Sequence, residues 1–231
     1  MEIQKQRQFT TEEHKTWASI LKTQRPRRSQ QLVSLFQEGL DRLNMDTDTI
    51  PDINEINQKL KNITGWQAVL VKGFEESAPF YRMLANKQFP IGNFIRNAKD
   101  LNYTPEPDIV HDLYGHIPFF VNEAYAKASH QFGLAAMKWI HDPNKLIEFD
   151  RLYWFTFEFG LTETPQGLRI FGAGIASSVG ECEYALSPTP EVLPFDPEVI
   201  RRTDFRIDEM QKKLFLLKSP EQLYSFISQL D

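Results

Sequence analysis

Two histidines five residues apart, His111 and His116 in PEPDIVHDLYGHIPFF (residues 105–120), are side chains whose type and spacing could do chemistry. On an ideal α-helix, at roughly 100° per residue, they point about 140° apart and do not stack as an i, i+4 pair does. They converge on one point only where the helix ends or bends between them, and Gly115 with Pro118 offers that break. By themselves, two such histidines also suit capping or core hydrogen bonding. A third candidate is Glu158, which LYWFTFEFGL (residues 152–161) places among Trp154, Phe155, Phe157 and Phe159. A carboxylate in that setting is heavily desolvated unless a cation meets it. Two imidazoles and one carboxylate form the ligand set of mononuclear non-haem iron(II), which leaves open positions for O2, water or a cosubstrate. An ion pair with Arg151 or Arg169 is the competing use of Glu158. A zinc hydrolase would also employ two His and one Glu, but it needs a positioned base such as the glutamate of H-E-x-x-H. Here Asp112 follows His111, and no i, i+4 histidine completes the motif.

These groups must be held by the elements around them. Thr10 with Glu13 predicts a capping box for a first helix carrying Trp17, Ile20 and Leu21. Ser29 is expected to cap a second, with Leu32, Leu35, Phe36, Leu40 and Leu43 on its inner face, and Asp52 a third that Gly65 closes. Trp66 to Val71 reads as a strand, followed by a short helix over Phe80 to Ala85. Asp108 can cap a helix through Gly115. Val121, Ala124, Tyr125, Ala128, Phe132, Ala135, Ala136 and Trp139 trace one face of a long helix, and a further helix runs from Pro143 to Phe159. Leu168 to Phe171 and KLFLLK read as strands, Ser178 with Glu181 as another capping box, and Ser219 with Gln222 as the start of a last helix. The prolines at 188, 190, 194 and 197 mark a long loop.

Composition narrows the function classes. The 231 residues are 41% apolar, enough for one core, and the net charge of −5 comes from dispersed rather than striped basic residues. Nucleic-acid binding is therefore not expected. The N-terminal MEIQKQRQFTTEEHK has no apolar signal core and no stretch approaches the roughly 18 apolar residues of a membrane span, so no membrane partner and a cytoplasmic location are expected. A lone cysteine, Cys182, excludes an intrachain disulfide and fits a reducing compartment. The 18 Phe, 7 Tyr and 4 Trp could line a pocket for a flat ligand as well as fill a core.

YTPEPDIVHDLYGHIPFF, LYWFTFEFGL and FGAGIASSVGECEYALS, joined by TGWQAVLVKGF, LANKQFP and RIDEMQKKLF, resemble the catalytic domain of the tetrahydropterin-dependent aromatic amino acid hydroxylases, the bacterial phenylalanine 4-monooxygenases in particular. The likeness runs from about Phe9 to Leu223. It implies a mainly α (α+β) fold with a few short strands, one catalytic domain over residues 1–231, and His111, His116 and Glu158 as ligands of Fe(II). Arg96 would form a fork with the amino acid's carboxylate, a task that suits guanidinium. Thr104, Trp154, Gly174 and Ser177 would surround the substrate backbone, with Pro105 and His111 flanking its ring. The resemblance further implies that Phe80 stacks on the tetrahydropterin and that Val71, Gly73, Phe74 and Ser77 contact its edge, with Asp112 and Tyr153 toward the same side. The implied reaction is ring hydroxylation by O2, with the pterin as two-electron donor and phenylalanine to tyrosine as the leading case. Tryptophan as substrate, or the meta position of phenylalanine, stays open, as does a binding protein without turnover. The chain resembles the minimal catalytic unit, without a regulatory domain or tetramerisation helix, and a monomer is expected.

Overall fold

Thr10 and Glu13 exchange side-chain and backbone hydrogen bonds to start α1 (Thr11–Gln24), which turns Trp17, Ile20 and Leu21 into the core. The computed structural model describes residues 5–72, 76–99 and 107–230. The expected second helix is in fact two pieces. A single turn, α2 (Arg28–Gln31), ends where Leu32 becomes extended, and α3 (Ser34–Leu43) begins behind Val33 with no side-chain cap. Ser29 therefore lies inside α2 and caps nothing. The reason is a sheet contact: Leu32 bridges Ile170, and Val33 N–H donates to the Ile170 carbonyl (3.1 Å). Asp52 caps α4 (Ile53–Ile63) as expected, accepting from Asn54 N–H, and Gly65 follows at φ +78°.

β1 (Gln67–Val71) and β2 (Gln88–Gly92) form a parallel pair, Gln67 opposite Gln88 and Val71 opposite Gly92, joined by the crossover helix α5 (Ser77–Ala85). The sequence reading missed β2 because Pro90 argues against a strand; a two-stranded sheet has only edges, where proline is tolerated. A second sheet has the order β4-β3-β6-β5. Its hairpin, β3 (Gly160–Thr164) and β4 (Gly167–Ile170), is antiparallel, while β5 (Glu191–Pro194) and β6 (Lys213–Leu217) add in parallel.

Between β2 and β3 in the chain come α6 (Glu123–Met137), capped by Asn122, and α7 (Pro143–Tyr153), capped by Asp142. Trp139 falls beyond the end of α6 and is 39% exposed beside Lys145, and Ala124 faces outward, so neither belongs to the inner face assigned to them. Two short helices, α8 (Ala173–Ala176) and α9 (Val179–Ala185), follow β4, and Ser178 accepts from Glu181 N–H at the start of the second. α10 (Pro197–Ile200) and α11 (Pro220–Ile227) complete the set. Ser219 stands at the start of α11 without a side-chain capping bond; instead Gln222 accepts from Lys218 N–H (2.9 Å). One large apolar cluster extends from Trp17 to Ile227. The mainly helical expectation holds, with strands β2, β3 and β5 added to those foreseen.

Candidate metal centre

Residues Val110–His116 form a π-helix, followed directly by a 3-10 turn, Ile117–Val121. This differs from the expected helix break. In a π-helix the hydrogen bonds run i→i+5, so residues five apart become neighbours across one turn. His111 and His116 meet for that reason, with ring centroids 5.0 Å apart. Glu158 arrives the same way: α7 does not continue unchanged to Phe159 but widens into a second π turn, Trp154–Glu158.

The three side chains converge. His116 Nε2 lies 3.0 Å from Glu158 Oε1 and 3.3 Å from His111 Nε2, and His111 Nε2 is 3.5 Å from Glu158 Oε2. Their ligand atoms all fall within 4.8 Å of one another. Neither arginine considered as a partner of Glu158 is engaged there: Arg151 pairs with Asp204 and the Arg201 carbonyl, and Arg169 donates to the Leu168 carbonyl. Burial alone would push the Glu158 carboxyl up, but the two imidazoles, His116 foremost, hold it below the ordinary carboxylate range. Burial takes His111 down to about 4, so its ring is neutral near pH 7, as a metal ligand must be.

The surroundings orient these donors. Ser177 Oγ donates to the Gly174 carbonyl (2.9 Å) and is thereby left to accept from His111 Nδ1–H (3.2 Å). The bare lone pair of His111 then sits on Nε2, facing Glu158. Phe89 of β2 stacks on His116, 4.4 Å between centroids and 28° between planes. Gly115 lets the π-helix press on α8, since a Cβ there would lie 2.8 Å from the Ala173 carbonyl oxygen. Two imidazole nitrogens and a carboxylate facing one another leave Glu158 Oε2 buried without a hydrogen-bond partner among the described residues. A cation at their centre would engage all three, and the donor set fits iron(II).

Of the residues linked to the substrate, Gly174 and Ser177 lie against the triad, and Arg96 reaches it through Asp108. That carboxylate is fully buried and accepts from Arg96 N–H (2.7 Å), Nε (2.9 Å) and Nη2 (2.7 Å) and from His111 N–H (3.1 Å). Asp108 thus caps as foreseen and also carries Arg96, a role that its position before a helix did not reveal. Trp154 is sandwiched by Phe159 (4.6 Å) and Phe205 (4.4 Å). Thr104 and Pro105 lie outside the described residues, as do Gly73 and Phe74.

On the cofactor side, Val71, Phe80, Phe89, Gly92 and Asp112 join the triad in lining a cleft of about 80 Å³. Asp112 accepts from Gly92 N–H (2.7 Å), and burial pushes its carboxyl well up. Tyr153 does not line this cleft; it is buried behind Phe80, edge-on at 4.9 Å. The Ser77 hydroxyl donates to Asp150. Phe89, Phe205 and Asp150 were absent from the sequence reading, because each reaches the site only through tertiary packing.

Known proteins similar to this chain share its architecture. The model of the family described as biopterin-dependent aromatic amino acid hydroxylase matches residues 3–230. A phenylalanine-4-hydroxylase of Chromobacterium violaceum is 41% identical over 217 residues, covering 94% of this chain and 73% of the relative. The crystal structure of the C. violaceum phenylalanine hydroxylase with iron(III) and oxidized 7,8-dihydrobiopterin superimposes with a TM-score of 0.92 at 39% identity, over 96% of this chain and 82% of that one. The structure of that enzyme with iron and phenylalanine gives 0.89 at 38% identity, over 96% and 81%. With a His-His-Glu centre in this fold and a family match over nearly its whole length, the chain belongs to the biopterin-dependent aromatic amino acid hydroxylases.

Proposed function

We propose that this protein is an iron(II)- and tetrahydropterin-dependent monooxygenase that converts L-phenylalanine to L-tyrosine with O2. The observation that carries the reading is the convergence of His111, His116 and Glu158 beside a cleft walled by Phe80 and Phe89. Relatives of 34–41% identity that are named phenylalanine-4-hydroxylase support the substrate. Iron(II) and the tetrahydropterin, when bound, supply the electrons that activate O2.

The protein's own groups bind and orient. His111, His116 and Glu158 would hold the metal, a three-ligand donor set that suits O2 chemistry. Arg96, locked in plane by Asp108, presents guanidinium N–H groups to the amino acid's carboxylate, with Thr104, Pro105, Trp154, Gly174 and Ser177 around the rest of the substrate. Phe80 offers a stacking face to the pterin, backed by Tyr153, with Val71 and Asp112 beside it in the cleft, and the family resemblance adds Gly73, Phe74 and Ser77 at the pterin's edge. The aromatic walls keep water from the reacting groups, and none of these residues needs to act as acid or base. The continuous apolar cluster supports a single catalytic domain. Among the described residues no helix is long and apolar enough to cross a membrane. The free buried Cys182 suits a reducing compartment such as the cytoplasm, and the protein is proposed to act as a monomer.

The test is incubation of the Fe(II)-loaded protein with a tetrahydropterin, O2 and, separately, phenylalanine, tyrosine and tryptophan, with products resolved by mass spectrometry against tyrosine isomers. Para-tyrosine as dominant product is expected. Mostly meta-tyrosine, or faster hydroxytryptophan formation, would reassign the substrate, and no hydroxylated product would overturn the enzyme reading.

A further inference from the structure

Asp150 lies in the last turn of α7, eight positions before the ligand Glu158. Its Oδ2 accepts from Ser77 Oγ (2.8 Å) and its Oδ1 from Tyr81 Oη (2.7 Å). Ser77 and Tyr81 belong to α5, where i and i+4 share a face. Phe80, one residue before Tyr81, faces the metal cleft and meets Tyr153 edge-on at 4.9 Å. Asp150 and Tyr153 are i and i+3 on α7, so two residues on one face of α7 grip Ser77, Phe80 and Tyr81 of α5. The contacts continue inward, because Phe80 meets Phe89 at 6.0 Å and Phe89 stacks on His116.

Both partners of Asp150 are neutral hydroxyls. A carboxylate partly removed from water is costly, and burial raises its pKa. An apolar side chain at 150 would join α5 to α7 at lower cost, but it would leave the rotation and height of α5 undefined. Two short hydrogen bonds accepted by one carboxylate define both.

Resting on the proposed pterin-dependent reaction, we propose that Asp150 is a positioning residue for the cofactor site: by clasping Ser77 and Tyr81 it sets Phe80 against the metal centre and ties the pterin platform to the helix that carries Glu158. Asp150 touches neither substrate nor metal. Its loss should act on pterin binding and on coupling, the tyrosine formed per pterin oxidised, more than on phenylalanine binding.

The experiment compares wild type with Asp150→Ala and Tyr81→Phe. It reads thermal midpoint, KM for tetrahydropterin and for phenylalanine, coupling, and calorimetric binding of dihydrobiopterin to the protein. Asp150→Ala should raise the pterin KM and Kd about tenfold, as loss of charged hydrogen bonds implies, with phenylalanine KM within about twofold and coupling lowered. Tyr81→Phe removes one hydroxyl and keeps the ring. It should shift the pterin constants the same way, by about threefold or more, and it serves alone if Asp150→Ala does not fold. Equal rises in both KM values, or a lowered midpoint with unchanged pterin constants and coupling, would reduce Asp150 to a structural contact and overturn the proposal. Wild type that binds dihydrobiopterin but forms no tyrosine would sink the proposed reaction instead, and the binding constants of the variants would still decide the role of Asp150.

Discussion

A Cβ added to Gly174 would stand 2.9 Å from Oε2 of Glu158 and 3.0 Å from the Glu158 carbonyl oxygen. The carboxylate that completes the metal centre is thus backed by a residue without a side chain. Gly174→Ala should push that carboxylate away from the histidines, at an overpacking cost of about 1–3 kcal/mol. Iron content after desalting should fall well below that of wild type; an unchanged stoichiometry would show that the carboxylate can move without harm.

Ser177 governs which nitrogen of His111 carries the proton. In Ser177→Ala, Nδ1–H loses its acceptor, and metal affinity should weaken by about 10–100-fold, the usual effect of losing such a partner. Ser177→Thr keeps the hydroxyl and should retain affinity if the added methyl is accommodated. Competition titration with a chelating dye measures both.

Asp108 is buried and binds the Arg96 guanidinium at two nitrogens. Asp108→Ala strands that charge and should cost about 3–5 kcal/mol in denaturant unfolding. Arg96→Lys keeps the charge but loses the fork, and kcat/KM for phenylalanine should drop about tenfold or more. Wild-type kinetics in Arg96→Lys would mean that the carboxylate is held elsewhere.

The first helix should carry an acid-sensitive contribution to stability. Hydrogen bonds from Arg7, and then from Thr10, lower the Glu13 carboxyl from 4.5 to about 2. Because the folded-state value is depressed, the unfolded chain takes up the proton first. The contribution is therefore complete above pH 4.5 and is lost as pH falls toward about 2. The difference in thermal midpoint between wild type and Glu13→Gln should shrink over that window, and a pH-independent difference would exclude the effect.

Capping boxes and apolar periodicity made much of this architecture legible in advance: Thr10 with Glu13 and Asp52 form as the sequence implies, and so does the inner face of α6 from Tyr125 to Ala136, though not Ala124 or Trp139. The π turns were not legible. Nothing in the residue types of VHDLYGH separates i→i+5 from i→i+4 bonding, so Gly115 and Pro118 suggested a break where the chain in fact widens. Strand β2 escaped notice because Pro90 obeys an edge rule that becomes visible only once its single neighbour is known. Ser29 has the right chemistry for a cap, but α2 already begins at Arg28, and the bridge from Leu32 to Ile170 separates it from α3, which carries the apolar face. The metal ligands could be picked out because a glutamate among aromatics calls for a cation, and the resemblance to the hydroxylase family favoured a metal over an arginine. Asp150 could not, since its meaning depends on α5 lying beside α7.

The pairing of β3 with β6 also sets an order of events. Glu158 stands just before β3, whose neighbours Gly160, Leu161 and Thr162 align with Phe215, Leu216 and Leu217. Contacts so distant along the chain form slowly, since a long loop must close first. During synthesis both histidines emerge from the ribosome well before the strand that fixes the glutamate's position exists. A nascent chain can offer iron two imidazoles but not the finished three-point grip, so durable loading belongs to the completed, folded polypeptide.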